Sequence, residues 1–315
     1  MFATKPRAIL IAGPTASGKS GLAIRLAEAV GGAIINADSM QVYSALRVLT
    51  ARPSARDEAR VPHWLYGHVD GGEGYSAGRY AREVRDALAT VAGQNRVPIV
   101  CGGTGLYFKA MLEGLSPIPD IPAAVREKWR THQAAAAPGA LHEALAELDP
   151  IMAARLPPGD SQRITRALEV MEATGRSLAQ WQGEAGEAAL DDGPDVIKLR
   201  VEPEREALYR RIDRRFDDMM RHGALAEVEA LSKLKLPADV PIMRALGVRP
   251  LRAYLAGHSD LATAVEHGKT QTRQFAKRQL TWLRKNMISW IELDQQQMKC
   301  STEEIVSFIE SKRLT

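Results

Sequence analysis

The chain has two cysteines in 315 residues, Cys101 and Cys300, too far apart to form a metal-ligand spacing. Cys101 lies in the apolar run "VPIVCGG" and reads as a small buried hydrophobe, and so low a count points to a reducing compartment. The seven histidines form no H-E-x-x-H or similar cluster, and His63 and His68 read as surface or turn residues rather than ligands. No stretch approaches the roughly 20 apolar residues of a membrane span. The first apolar run, "AILIA", is too short for the core of a signal peptide, so a cytoplasmic protein is expected. An N-K-x-D sequence is missing, which removes the guanine reader of a GTPase. No internal repeat or coiled-coil pattern stands out, so the expectation is a monomer.

What is present is ordinary for a soluble globular chain: 45% apolar and 25% charged residues, and enough length for one large or two modest domains. The net charge of +4 and pI near 9.1 are mildly basic. Their distribution says more. From Lys269 to Lys285 there are six cations (Lys269, Arg273, Lys277, Arg278, Arg284, Lys285) and no acid.

The first third alternates buried-strand runs with helical patterns. "AILIAG" (8–13), "AIINADS" (33–39) and "RVPIVCGG" (96–103) read as strands, and "SGLAIRLAEAVG" (20–31) and "AGRYAREVRDALATVAG" (77–93) as helices. Such alternation predicts a parallel α/β sheet with crossover helices, in which ligands sit at the C-terminal ends of strands. "GPTASGKS" (13–20), "DSMQ" (38–41) and "GGTGLY" (102–107) each follow a strand directly, and all three are expected to line one cleft. At "LSPIPDIPAAV" three prolines break any regular element, and only helices follow until about Asp195. One of these, "GDSQRITRALEVMEATGRS", has Asp160 or Ser161 as its start signal and Gly175 as its stop. "VIKLRV" (196–201) then reads as a strand that rejoins the sheet. The expected organisation is a P-loop-type α/β core from 1–118 and 196–315, with basic C-terminal helices, and a helical insertion domain from 119–195.

"GPTASGKS" fits G-x-x-x-x-G-K-[ST] between a strand and a helix. Its glycines let successive N–H groups converge on phosphate oxygens at the positive end of the following helix. Lys19 then reaches the terminal phosphate and the Ser20 hydroxyl can hold Mg²⁺. The pattern points to phosphate without saying which one. Asp38, at the end of the second strand, is the strand-end acid that could hold metal or activate an acceptor; its plain structural reading is a turn or helix-cap aspartate.

Basic surface appears in two stretches. Arg163 and Arg166 are three apart and share a helix face. In "KTQTRQFAKRQLTWLRK" Ala276, Leu280 and Leu283 form an apolar stripe, with Arg273, Lys277 and Arg284 beside it, Arg278 and Lys285 extending the basic arc, and Phe275 and Trp282 on a separate stripe. A solvated face is the plain reading of any single charge run. Arginines beside aromatics, with no acid between, favour RNA.

In the order "GPTASGKS", "NADSMQVY", "CGGTGLYFKAMLEGL", "DSQRITRALEV", "RALGVR" and "QTRQFAKRQLTWLRK", the chain strongly resembles the bacterial form of tRNA dimethylallyltransferase, also called tRNA isopentenyltransferase, from about residue 7 to 292. The resemblance implies transfer of a dimethylallyl group from dimethylallyl diphosphate to N6 of the adenosine immediately 3′ of the anticodon in certain tRNAs. It implies that Gly13, Pro14, Thr15, Ala16, Ser17, Gly18, Lys19 and Ser20 hold the diphosphate of the donor, a leaving group, with Mg²⁺ on Ser20. The loop need not hold ATP, although its motif attracts an ATP-binding label. Asp38 matches the catalytic aspartate, acting as general base on a flipped-out adenine, and Thr104 matches a residue at the reaction site and tRNA contact. Ser39, Met40 and Gln41 match the base-reading segment, and Gln41 carries an amide suited to reading an adenine edge bidentately. Arg126, the segment Gln162, Arg163, Ile164, Thr165 and Arg166, and the pair Arg244 and Arg249 match tRNA contacts; the basic helix with Arg273, Lys277, Arg278 and Arg284 belongs with them. The zinc finger of eukaryotic members cannot be built from Cys300 alone.

The pattern breaks in residues 44–75, where "RVLTARP" replaces a segment like D-I-G-T-A-K-P and Arg52 stands in place of its lysine. Two other classes use some of the same parts. A small-molecule kinase would use the loop and Asp38, yet has no need of a helical insertion and a basic helix. A non-catalytic RNA-binding protein with a nucleotide switch would not need Asp38.

Overall fold

The computed structural model describes residues 2, 6–294 and 296–313; residues 1 and 315, which close the expected core range, lie outside these. The chain forms two compact units, Met1–Leu112 with Ala189–Thr315, and Glu113–Ala188.

The first unit runs β1 (Ala8–Ala12), α1 (Lys19–Val30), β2 (Gly32–Ala37), α2 (Ala55–Arg60), β3 (His63–Trp64), α3 (Ala77–Gly93), β4 (Val97–Gly102) and α4 (Gly105–Leu112). The second unit holds α5 (Ala123–Ala135), α6 (Ala140–Leu148), α7 (Pro150–Ala153), α8 (Ser161–Thr174) and α9 (Leu178–Trp181). The chain returns to the first unit as β5 (Val196–Val201), α10 (Arg205–Arg221), α11 (Ala224–Lys233), α12 (Val248–Leu255), α13 (Leu261–Asn286), β6 (Ile291–Leu293) and α14 (Thr302–Arg313). The sheet order is β3-β2-β4-β1-β5-β6, with every pair parallel.

Its central strands are buried on both faces, as the unbroken apolar runs require. Successive side chains point to opposite faces. Leu10, Ile35 and Val100 join one core with Tyr80 and Val84 of α3 and Phe108 of α4. Ile9, Ile11, Ile34 and Ile99 join the other with Leu22 and Leu26 of α1 and Ile305 of α14. Each such side chain contributes about 1.5–3 kcal/mol on burial. A third core, with Tyr43, Leu46, Phe216, Val228 and Leu251, fixes the stretch after β2 against the C-terminal helices.

That stretch contains the segment where the resemblance breaks, and hydrogen bonds within this chain hold it. The Glu227 carboxylate accepts the backbone N–H groups of Arg47, Val48 and Leu49 at 2.9, 2.8 and 3.0 Å. Arg52 donates to the carbonyls of Tyr43 and Ser44, each at 3.1 Å. Its guanidinium lies against Gly67, whose φ of +57° and missing Cβ leave the room. Arg52 is thus a brace within the loop.

Helix α3 and strand β5 have the bounds expected from sequence. Strands β3 and β6 were not foreseen, being two and three residues long, with no apolar run to announce them. The helical unit begins and ends earlier than the expected 119–195. The reason is local: the N–H groups of Ala189 and Leu190 both donate to the carbonyl of Met111, tying the returning chain to the end of α4. Inside the helical unit α8 starts at Asp160, whose carboxylate accepts from the Arg163 N–H, and stops at Gly175 in the left-handed region. Its buried face, Ile164, Ala167, Leu168 and Val170, packs with Trp129, Leu141 and Leu145.

Candidate active site

Strand register assembles the site. Ala12 of β1 and Ala37 of β2 are both level with Gly102 of β4, so Gly13, Asp38 and Gly103 leave three neighbouring strands side by side. A Cβ on Gly102 would stand 2.0 Å from the Ala37 carbonyl oxygen, which is why glycine ends this strand.

The Gly13–Ser20 loop passes through two left-handed residues, Ala16 (φ 62°) and Gly18 (φ 93°), before α1 begins at Lys19. Gly18 gives α1 no side-chain cap; the Lys19 N–H reaches the Ser17 hydroxyl at 3.4 Å, and the N–H groups of Ser20 and Gly21 stay open to an anion. Lys19 folds back and donates from Nζ to the Pro14 carbonyl at 3.2 Å. Ser20 stands exposed on the first turn, and its hydroxyl bonds to no other described residue. Gly13 packs against Ser17, so the loop's first and fifth residues meet.

Two residues of the C-terminal helices that sequence reasoning missed hold this loop. Gln279 of α13, buried, accepts the Thr15 N–H at 2.8 Å and donates to the Gly103 carbonyl at 2.8 Å, joining the loops after β1 and β4. Arg215 of α10 donates to the Thr15 hydroxyl. Gln279 lies in a stretch that its basic and aromatic residues single out, with nothing in the sequence to mark the glutamine itself, and Arg215 is one arginine among several in "YRRIDRRF".

Across the cleft, the buried Asn36 fixes Asp38. Its Oδ1 accepts the Asp38 N–H at 2.8 Å, and its Nδ2 donates to the carbonyls of Asp38 and Leu65 at 2.9 and 3.1 Å. Asp38 Oδ1 accepts the Met40 N–H at 2.9 Å; its second oxygen is bonded to no described residue. Thr104 Oγ1 accepts the Ser39 N–H at 3.0 Å, and its own N–H donates to Ala37 at 3.1 Å. The Thr104 hydroxyl proton therefore stays available to a ligand.

Burial, the larger effect, and Arg215 lower the pKa of Lys19, while the nearby Cys101 thiol and Asp38 carboxylate raise it. Burial brings Arg215 down to about 10, with Asp38 opposing. Cys101 is pushed up to about 11 by burial and by Asp38, against Lys19. Two desolvated cations beside one carboxylate make a pocket for a multiply charged anion.

The base-reading expectation for Gln41 needs correction. Its Nε2 donates to the carbonyls of Thr50 and Ala51 at 2.8 and 2.9 Å, which shapes the loop and leaves only Oε1 for an adenine edge. Ser39 and Met40 are partly exposed beside Asp38.

Of the expected RNA contacts in the first unit, Arg244, Arg249, Lys277, Arg278 and Arg284 are exposed. Arg278 lies over the Phe275 ring at 5.9 Å, and Arg284 pairs with Glu202 at 2.5 Å. Arg273 is a correction: it is held between Asp213 at 2.6 Å and Glu266 at 2.7 Å. Trp282, expected on an aromatic stripe for RNA, packs on Gly105. In the helical unit Arg126, Gln162 and Arg163 are exposed and Arg166 is half-exposed beside Glu169. Ile164 and Thr165 are buried in that unit's core and offer no side chain to RNA.

The level strand ends and the glycine loop between β1 and α1 define a P-loop-type α/β protein. Residues 41–286 match the family model described as IPP transferase, and residues 6–64 one described as isopentenyl transferase. The curated tRNA dimethylallyltransferase of Azorhizobium caulinodans is 53% identical over 289 residues, 92% of each chain. That of Parvibaculum lavamentivorans is 50% identical over 309 residues, 98% of each chain. The crystal structure of a tRNA isopentenylpyrophosphate transferase from Bacillus halodurans is 30% identical, with a TM-score of 0.69 over 99% of this chain and 97% of that one. A eukaryotic dimethylallyltransferase crystallised acting on tRNA is 30% identical, with a TM-score of 0.78 over 91% of this chain and 73% of that one. The chain belongs to the tRNA dimethylallyltransferase family. Among the described residues no helix is long and apolar enough to cross a membrane.

Proposed function

We propose that this chain transfers a dimethylallyl group from dimethylallyl diphosphate to N6 of the adenosine immediately 3′ of the anticodon in tRNA. The observation that carries the proposal is the placement of Asp38, with one carboxylate oxygen uncommitted, across from the Lys19 and Arg215 cations of an uncapped P-loop. The bond that breaks joins the allylic carbon to the diphosphate oxygen, and the bond that forms joins that carbon to N6. The electron pair of the broken bond leaves with the diphosphate. Loop N–H groups, Lys19 and Arg215 stabilise that charge as it develops. The N6 proton goes to Asp38, which Asn36 holds in place. The Thr104 hydroxyl, free to donate, positions the base or a diphosphate oxygen. The adenosine must be turned out of its stack to reach the cleft.

Mg²⁺ suits the Ser20 hydroxyl, which is exposed and uncommitted, since this ion commonly takes few protein ligands and completes its shell with phosphate oxygens and water. When bound it supplies positive charge to the leaving diphosphate. Arg244, Arg249, Lys277 and Arg278 offer basic surface to the anticodon stem-loop, and Arg126, Gln162, Arg163 and Arg166 do so from the helical unit. We assign the reaction to a cytoplasmic monomer, because one chain supplies all the reacting groups named.

The test mixes the protein with Mg²⁺, dimethylallyl diphosphate and an unmodified anticodon stem-loop, without ATP. Mass spectrometry of the digested RNA should find one prenyl unit on that adenosine. Asp38→Ala should lower kcat by roughly 10²–10⁴-fold. No prenyl gain, with a small acceptor phosphorylated from ATP in a parallel assay, would move the assignment to a kinase.

A further inference from the structure

Among the described residues only five other than glycine hold φ in the left-handed region: Ala16, Ala51, Leu65, Asn95 and Lys235. Leu65, at φ 62°, is the one large apolar side chain among them. Its Cβ makes that conformation unfavourable, so the surroundings must hold the backbone there.

Strands β2 and β3 pair up to Ile35 and Trp64, and parallel pairing resumes with a bridge between Tyr43 and Val69. Between these points residues 36–42 run opposite residues 65–68, so the longer side has to bulge. Asp38 sits on that bulge. The shorter side turns at Leu65 and again at Gly67, whose φ is +57°, and each of the two makes one bond across. The Leu65 carbonyl accepts Asn36 Nδ2 at 3.1 Å, and the Gly67 N–H donates to the Gln41 carbonyl at 2.9 Å. Both ends of the Asp38 segment are therefore tied to one turn. Asn36 passes the tie on, because the same amide accepts the Asp38 N–H at 2.8 Å and donates to the Asp38 carbonyl at 2.9 Å. The Arg52 guanidinium backs the turn, filling the space that a Gly67 side chain would take.

We propose that the turn at residues 65–67 is a clamp that aims Asp38 at its substrate, with Leu65 as a positioning residue that acts through Asn36. The inference rests on the transfer reading for the role of Asp38 as general base. The Cβ at position 65 is what makes the clamp stiff: with it the left-handed region is a small well, whereas glycine spreads over a broad one. A stiff carbonyl at Leu65 fixes the Asn36 amide, and the amide holds the Asp38 backbone within the small tolerance that proton transfer allows.

The test compares Leu65→Ala with Leu65→Gly in the full chain. Both lose the leucine side chain, and they differ only in the Cβ. Glycine suits a φ of 62° better than alanine does, so the glycine variant should have the higher Tm. Its kcat should nevertheless lie about tenfold or more below that of the alanine variant, since a small misplacement of a reacting group costs up to about 10²-fold. KM for donor and for stem-loop should agree within about twofold between the two variants. Hydrogen exchange at the Asp38 amide should be about tenfold or more faster in the glycine variant, with the amides of β1 unchanged. A role in packing alone would make the more stable variant the more active one. A glycine variant of lower Tm, with kcat equal to or above that of the alanine variant, or with Asp38 exchange no faster, would overturn the clamp. If the unaltered chain fails to prenylate RNA, the transfer reading falls, while the exchange comparison still decides the clamp.

Discussion

Replacing Gln279 by leucine probes how far the phosphate loop depends on α13. The side chain is 6% exposed and spends both ends of its amide, accepting from Thr15 and donating to Gly103 at 2.8 Å each. Leucine nearly matches its volume but makes neither bond, leaving the Thr15 N–H and the Gly103 carbonyl without partners. Two lost hydrogen bonds with their stranded groups amount to about 2–4 kcal/mol. At roughly 2–4 °C per kcal/mol for a domain of this size, Tm should drop by about 4–16 °C. If about 1.4 kcal/mol of that loss has to be recovered when the donor re-forms the loop, donor KM rises about tenfold. Scanning calorimetry and initial rates with donor varied at saturating stem-loop measure both quantities. A Tm within about 1 °C of the original together with an unchanged donor KM would refute the strut.

Gly105→Ala should destabilise the first unit by about 1–3 kcal/mol, since its Cβ would lie 2.1 Å from the Trp282 ring; denaturant unfolding would show it as a lower midpoint. The Cys101 thiol, pushed up to about 11, stays protonated at pH 8, so iodoacetamide should label Cys300 first, and Cys101 should gain reactivity only as pH approaches that value. Peptide mapping that finds Cys101 alkylated as fast as Cys300 at pH 8 would contradict this assignment of its environment.

Much of the architecture was legible because buried parallel strands announce themselves as unbroken apolar runs ending in glycine. Strands β1 and β4 are of this kind; β2 is apolar until Asn36, β5 was legible from its β-branched alternation, and the loops after β1, β2 and β4 were legible from their position at strand ends. Residues whose meaning depends on a partner far away in sequence were not legible. Arg273 looked available to RNA because no acid lies within 269–285, yet Asp213 reaches it from α10 and Glu266 from two turns earlier on its own helix. Gln279 and Arg215 are polar residues in helical sequences, and only the packing of α10 and α13 shows that they point at the phosphate loop. Gln41 was misread for a simpler reason: its amide serves its own loop before any ligand arrives.

The helical unit leaves and re-enters the chain through a narrow neck. Gly114 and Gly186 approach so closely that a Cβ on Gly186 would stand 2.1 Å from the Leu115 carbonyl oxygen, and Met111 accepts both returning N–H groups on the other side. Neighbouring ends make the unit a graft: for the α/β core it amounts to one loop, whose closure entropy grows only slowly with the length it encloses. Such a joint lets a lineage exchange, enlarge or trim its helical module without rebuilding the sheet, because no strand order or crossover depends on what lies between residues 113 and 188.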